Sequence, residues 1–260
     1  MKIVRPYMRM LTTGDVLRND FTRHVMSTVL INKPLEFVNW CGRVSHRSED
    51  AEKQDVERFL RSVITDHGDW SIAEHVSVSV DAVVDRGITH EIVRHRLASY
   101  TQESTRFVNY AKKMPPSFIY PIVDVECERC LAGDEPWRDD PFWYHGNRGY
   151  KNTIRCAYDE DWLDAVDACE CAYIALLNKK WGRPQEARSV FPNALASRIV
   201  ITMNLRMWRH FFLMRTSAEA HPQMRQVTIP LLREFQAAIP VLYEDIEPEG
   251  RQIDNLRRAR

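Results

Sequence analysis

The sequence predicts a single α+β domain spanning residues 1–260. Two long stretches carry the apolar spacing of amphipathic helices, a third alternates apolar and polar residues as a strand does, and no linker or internal repeat divides the chain. A chain of 260 residues can bury a substantial core without disulfide or metal staples.

Each element has its own signal. Between Glu49 and His67, the residues Val56, Phe59, Leu60, Val63 and Ile64 recur at i, i+3, i+4, i+7 and i+8, and Gly68 supplies the stop. From His75 to Val84, Val76, Val78 and Val80 alternate with Ser77, Ser79 and Asp81, the period of a strand with one buried face. Gly87 breaks that pattern, and Ile88, Ile92 and Val93 then give helical spacing leading into Arg94, His95 and Arg96. Met114 to Asn152 holds Pro115, Pro116, Pro121, Pro136 and Pro141, which predicts a long irregular surface excursion with an insertion at about residues 123–150. Asp159 to Trp181 reads as a second long helix with Trp162, Val166, Cys169, Tyr173, Leu176 and Leu177 inward, ended by Gly182. Asn193 to Arg215 is apolar on all sides yet carries Arg198, Asn204, Arg206, Arg209 and His210. It predicts a mostly buried helix whose polar groups need partners, because an unpaired buried charge costs several kcal/mol.

Composition excludes several classes. Lys plus Arg and Asp plus Glu both total 36, so the formal charge is zero and a protein built mainly to grip nucleic acid or an anionic membrane is disfavoured. No apolar run approaches the roughly 18 residues of a membrane span, and the amino terminus lacks the apolar core of a signal peptide, which predicts a soluble, cytoplasmic chain. Six cysteines are too few for a secreted disulfide framework and read as reduced thiols. Cys127 and Cys130 have zinc-knuckle spacing with His145 downstream, but the second close pair that would complete a tetrahedral site is missing, so no metal is expected. Neither a glycine-rich dinucleotide fingerprint nor a P-loop occurs.

The stretch most suited to chemistry is RHRLASYTQESTR, Arg94 to Arg106. Its arginines offer planar forks of donors that match phosphate, and in an extended segment Ser104 and Arg106 would point to one side and share an anion. Ser104 has no His and Asp at a motif spacing, which favours a ligand role over a nucleophilic one.

The same stretch, RHR followed by seven residues and a serine, resembles the signature of the flavin-dependent thymidylate synthases, the ThyX family. HGDWSIAEH, His67 to His75, is similar to that family's GHxSxxEH element, and Arg43, Val44 and Ser45 resemble a further segment. ARSVFPNALASR (Ala187 to Arg198), NLRMWRHFFLMR (Asn204 to Arg215) and His221 with Gln223 follow its carboxy-terminal pattern. Residues from about 123 to 150 lie outside the likeness.

The resemblance implies an antiparallel sheet packed with long helices and a homotetramer with active sites shared between subunits. It implies a methyltransferase that converts dUMP to dTMP, taking a methylene group from 5,10-methylenetetrahydrofolate and hydride from FAD reduced by NADPH, with no cysteine nucleophile. Carried over by position, Ser71, Arg94, His95, Arg96, Gln102, Asn204, Arg206 and His210 would contact the flavin. Glu91, Arg94, Gln102, Glu103, Ser104, Thr105, Arg106, Arg188 and Arg215 would hold dUMP, with Arg215 the catalytic residue that polarises the pyrimidine. A fixed guanidinium suits that role, because hydride attack at C6 of uracil builds negative charge over the ring carbonyls and N3. If Asn204 to Arg215 is one helix, Asn204 and Arg215 share one face while Arg206 and His210 share another, so one helix would serve ligands on two sides, as is natural where subunits meet.

Three positions depart from the family pattern. Asp69 stands where an imidazole is common, Glu91 where many members carry glutamine, and Thr101 where asparagine or serine is frequent. Two other readings stay open on the residues alone. One is a nucleic-acid-binding module using Arg94, Arg96 and Arg106 with Tyr100 and Phe107 as stacking groups. The other is a scaffold that keeps the fold without turnover, for which Asp69 and Glu91 are the relevant departures.

Overall fold

A computed structural model describes residues 2–3, 6–10, 34–45, 47–48, 55–112, 115–121, 143–144 and 160–248. The elements in chain order are β1 (Lys2–Ile3), β2 (Tyr7–Met10), α1 (Pro34–Ser45), α2 (Val56–Leu60), β3 (Ser77–Asp85), α3 (Arg86–Ile92), β4 (Ala98–Gln102), β5 (Ser117–Phe118), β6 (Trp143–Tyr144), α4 (Glu160–Leu177), α5 (Pro184–Ala187), β7 (Ala196–Asn204), α6 (Leu205–Arg215), α7 (Pro222–Ala238) and α8 (Pro240–Tyr243). A wider helical turn, Arg61–Asp66, extends α2, and a 3-10 turn spans Trp70–His75. The insertion expected at about 123–150 and the pair Cys127 and Cys130 with His145 lie outside the described residues, apart from Trp143–Tyr144, which pairs with β1.

The centre of the fold is a four-stranded antiparallel sheet in the order β2-β3-β7-β4. β3 and β7 pair along nine residues each, from Ser77 opposite Asn204 to Asp85 opposite Ala196. Strand alternation makes the two faces different. Met8, Val80, Ala82, Val84, Ile199, Ile201 and Met203 point inward and are buried, whereas Tyr7, Arg9, Ser79, Asp81, Arg198, Thr202, Ser99 and Thr101 occupy the other face. On that polar face Asp81 is fully buried and accepts from Arg198 Nε and Nη2 at 2.7 and 3.1 Å and from the Tyr7 hydroxyl at 3.1 Å.

One expectation is overturned here. The stretch Asn193 to Arg215 is not one helix, because its first half is the central strand β7 and only Leu205–Arg215 is helical. β7 alternates, with Ile199, Ile201 and Met203 inward, and its β-branched Ile199, Val200, Ile201 and Thr202 suit a pleated surface. A second expectation also changes. β4 ends at Gln102, and Ser104 sits in a turn, its carbonyl accepting from the Phe107 and Val108 amides at 3.2 and 2.9 Å and its hydroxyl from the Arg106 amide at 3.3 Å. Serine competes for its own backbone in this way, so strand alternation does not align Ser104 with Arg106. Gly87 likewise lies inside α3, not in a break after the strand.

Helices cover the inner sheet face. Trp208, Phe211 and Phe212 of α6 pack with Phe235 of α7 and Tyr243 of α8, with ring centroids 5.0–5.8 Å apart. Two polar tips lock this cluster: Trp208 Nε1 donates to the Val78 carbonyl at 3.0 Å and the Tyr243 hydroxyl to the Leu205 carbonyl at 2.8 Å. α4 builds a smaller core with Val166 and Tyr173 inward as the spacing predicts, and Tyr173 stacks on Phe191 at 4.5 Å. Gly182 follows it, where a Cβ would run into the carbonyls of Leu176 and Leu177. Gly68, at φ 79°, similarly closes the turn after Asp66. Among the described residues no helix is long and apolar enough to cross a membrane.

Because Trp208 is fully buried and joins α6 to the sheet, Trp208→Ala is expected to cost about 3–5 kcal/mol. A lowered denaturant midpoint checks this, and an unchanged midpoint would contradict the packing described.

Candidate active site

α3 and α6 leave opposite ends of the β3–β7 ladder. Both are capped alike: Asp85 Oδ1 accepts from the Ile88 amide at 2.7 Å, and Asn204 Oδ1 from the Met207 amide at 2.8 Å. The ladder is about 27 Å long at 3.4 Å per residue. α3 continued to His95 and the whole of α6 add up to about 30 Å at 1.5 Å per residue. Two helices directed back over the inner face therefore meet at their carboxy-terminal ends. Contacts along the way agree: Gln102 Nε2 donates to Thr89 Oγ1 at 3.1 Å, and the Tyr100 hydroxyl donates to the carbonyls of Ile92 and His95 at 3.0 and 2.5 Å.

At the meeting point Arg215 Nη1 donates to Glu91 Oε2 at 2.8 Å, Nη2 to the Glu91 carbonyl at 3.4 Å and Nε to His95 Nε2 at 2.8 Å. Accepting there requires an imidazole whose proton sits on Nδ1. Burial, then the Arg215 charge, then His210 lower the His95 pKa from 6.5 to about 4, so the ring is neutral at ordinary pH. Phe211 meets it edge-on at 4.8 Å and His210 at 5.9 Å. Thr228 Oγ1, from α7, donates to the Arg215 carbonyl at 2.8 Å. Burial raises the Tyr100 hydroxyl to about 12, which keeps it a donor.

A second group lies around the turn after β4. Arg188 Nη1 donates to the buried Thr105 hydroxyl at 3.2 Å, and Arg106 Nε to Gln185 Oε1 at 3.4 Å. Glu103 accepts from the Tyr110 hydroxyl at 2.7 Å, and its amide donates to the Arg198 carbonyl at 2.8 Å. Gln102 also donates to Ser197 Oγ at 3.0 Å. Two exposed guanidiniums beside a hydroxyl-bearing turn form a site suited to a phosphate.

A third group surrounds an open cavity of about 250 Å³ lined by Glu74, Ser77, Leu97, Ala98, Ser99, Thr202, Met203 and Asn204. Arg206 at its rim pairs with Glu74 at 2.6 Å. Ser71, Arg94, Arg96 and His210 are exposed, while the Asn204 side chain caps α6. Asp69 and Thr101 are exposed as well. Sequence reasoning passed over Glu74 and Leu97 as site residues. Glu74 stood in HGDWSIAEH as an uncommitted carboxylate near cationic segments, which was its available signal. Leu97, at φ 65° and 83% exposed, had none.

Arg206 and Arg215 are separated by about 13 Å of helix, so in one protomer the third group and the Arg215 group are distinct. The structure thus brings Glu91, His95 and Arg215 together, and Thr105 with Arg188, without joining all the expected residues around one cavity. His221 and Gln223 serve the fold, His221 capping α7 and Gln223 Nε2 donating to the Tyr120 carbonyl at 3.2 Å. Among the described residues no cluster of three or more His, Cys, Asp or Glu side chains is placed to hold a metal.

Comparison with known proteins gives a coherent result. The family model described as thymidylate synthase complementing protein matches residues 27–241. A flavin-dependent thymidylate synthase of Mycobacterium bovis is 35% identical over 190 residues, covering 73% of this chain and 69% of that protein. Another, from Mycolicibacterium vanbaalenii, is 32% identical over 214 residues, covering 81% and 78%. Among solved structures, a UMP/dUMP methylase, PolB from Streptomyces cacaoi bound with 5-Br dUMP, is 19% identical with a TM-score of 0.62, covering 93% of this chain and 94% of that one. Their likeness is one of fold.

The neutral His95 has a measurable consequence. Its folded-state pKa lies below the unfolded value, so the unfolded chain takes up a proton that the native state refuses as pH falls. Its contribution to stability is expected to be complete above about pH 6.5 and to fall away toward about pH 4. Denaturant midpoints measured across that window should show a shallower fall in His95→Gln. An equal fall in both proteins would contradict the burial described.

Proposed function

This chain belongs to the thymidylate synthase complementing protein family and is a flavin-dependent thymidylate synthase, a methyltransferase that converts dUMP to dTMP; we propose that Arg215 activates its pyrimidine while the turn at residues 103–106 and Arg188 hold its phosphate. The observation that carries this reading is the Arg215 guanidinium, held at the junction of two helices by Glu91 and a neutral His95. A guanidinium fixed beforehand stabilises charge developing on a ring carbonyl without reorganising during the reaction.

The flavin, when bound, supplies the hydride. Exposed Arg94 and Arg96 suit its diphosphate, Asn204 lines the cavity with Glu74, to which Arg206 is paired, and exposed Ser71 and His210 are further polar groups for it, His210 from beside His95. A cavity of about 250 Å³ takes only part of such a cofactor, so a further wall is required. This need, together with the separation of the three groups, favours a homotetramer in which a neighbouring protomer completes each site. NADPH as reductant of the flavin and 5,10-methylenetetrahydrofolate as methylene donor belong to the same reading, supported by the family membership.

At the phosphate, Arg106 and Arg188 supply charge-assisted donors, and Thr105 braces Arg188 from beneath. Gln102 has both amide hydrogens committed to Thr89 and Ser197, so its oxygen is the atom left to face a ligand. Ser104 is the hydroxyl ligand of this turn, Glu103 and Thr105 shape it through Tyr110 and Arg188, and no cysteine attacks the ring.

Two variants test this reading. Arg215→Ala is expected to retain flavin, seen as yellow protein, and to lose about a hundredfold or more in dTMP formation. Arg106→Ala is expected to raise the dUMP KM about tenfold or more, as loss of a charged donor to phosphate does. Normal turnover in the first, or an unchanged KM in the second, would refute the respective role.

A further inference from the structure

We propose that Glu91 is a positioning residue of the reaction, which together with His95 locks the Arg215 guanidinium in the orientation it presents to the pyrimidine; the inference rests on the reading of Arg215 as the activating group. Arginine has five N–H donors, of which Nε–H goes to His95, one Nη1–H to the Glu91 carboxylate and one Nη2–H to the Glu91 carbonyl. Two donors, one on each terminal nitrogen, are left for a ligand. Glu91 thus holds both terminal nitrogens of the fork, one through its side chain and one through its backbone.

The chain around this contact is itself held still. Glu91 lies in the last turn of α3, whose end is tied by the Tyr100 hydroxyl, and Arg215 ends α6, where Thr228 binds its carbonyl. A side chain as flexible as arginine, at a helix end and with 17% of its surface exposed, would otherwise sample several rotamers. The carboxylate has a cost as well. Its charge lies beside the place where negative charge would develop, so it opposes part of the stabilisation Arg215 provides. Orientation is therefore what Glu91 contributes, and an uncharged acceptor of the same shape should serve.

The test compares the flavin-loaded native enzyme with Glu91→Ala, Glu91→Gln and Arg215→Ala, reading kcat, dUMP KM and absorbance near 450 nm. Glu91→Ala should lower kcat about tenfold or more, with dUMP KM within about threefold and flavin content unchanged. Glu91→Gln should recover kcat to within about threefold of native, since its amide oxygen can accept the Nη1 hydrogen. If Glu91→Ala does not hold flavin, Glu91→Asp, one methylene too short for the carboxylate contact, takes its place with the same expected loss. Native kcat in Glu91→Ala, or Glu91→Gln as slow as Glu91→Ala, overturns the positioning role. Normal turnover in Arg215→Ala overturns the assignment of Arg215 itself, and the role of Glu91 with it. An inactive Arg215→Ala beside an unimpaired Glu91→Ala overturns the positioning role alone.

Discussion

The antiparallel pairing of β3 with β7 is the constraint on which the rest of the molecule depends. Nine residues on each strand fix the separation of the two points at which α3 and α6 begin, and Asp85 and Asn204 cap those helices at opposite ends of the ladder. Helix lengths then decide where the ends meet. Shortening either helix by one turn, about 5.4 Å, would pull Arg215 out of reach of Glu91 and His95. The site is a consequence of length matching between a ladder and two helices, and the buried aromatic cluster around Trp208 keeps α6 in register with the sheet.

Local order was legible in the sequence where one signal dominated. The Val76 to Val80 alternation, the Val56 to Ile64 spacing and the inward Val166 and Tyr173 of α4 all correspond to observed elements. β7 was not legible as a strand, because apolar Val200 on its outer face and the apolar helix that follows without a break merge with it into one dense run, and its polar Arg198 is engaged by Asp81, more than a hundred residues away in sequence. The turn at Ser104 was missed for a different reason. A serine hydroxyl can serve a ligand or its own backbone, and residue type alone does not distinguish them.

At the site, sequence motifs identified which residues to examine but not how they associate. Glu91 read as a nucleotide contact at a position where many members of the family carry glutamine. In three dimensions its carboxylate is engaged by Arg215. The neutral state of His95 likewise depends on burial and on the Arg215 charge, both reached only through the fold. Glu74 gained meaning from Arg206, which β7 and its cap bring beside it. The expected residues fall into three groups on one protomer, and the motif order in the chain gives no hint of that division.

The most direct test of the account is tritium release from 5-tritiated dUMP by the native protein supplied with FAD, NADPH and 5,10-methylenetetrahydrofolate. Replacement of the C5 hydrogen by a methyl group predicts tritium in the solvent matched by dTMP formed, both ceasing when flavin or folate is left out. Yellow, folded protein that binds dUMP yet releases no tritium in the complete mixture would contradict it.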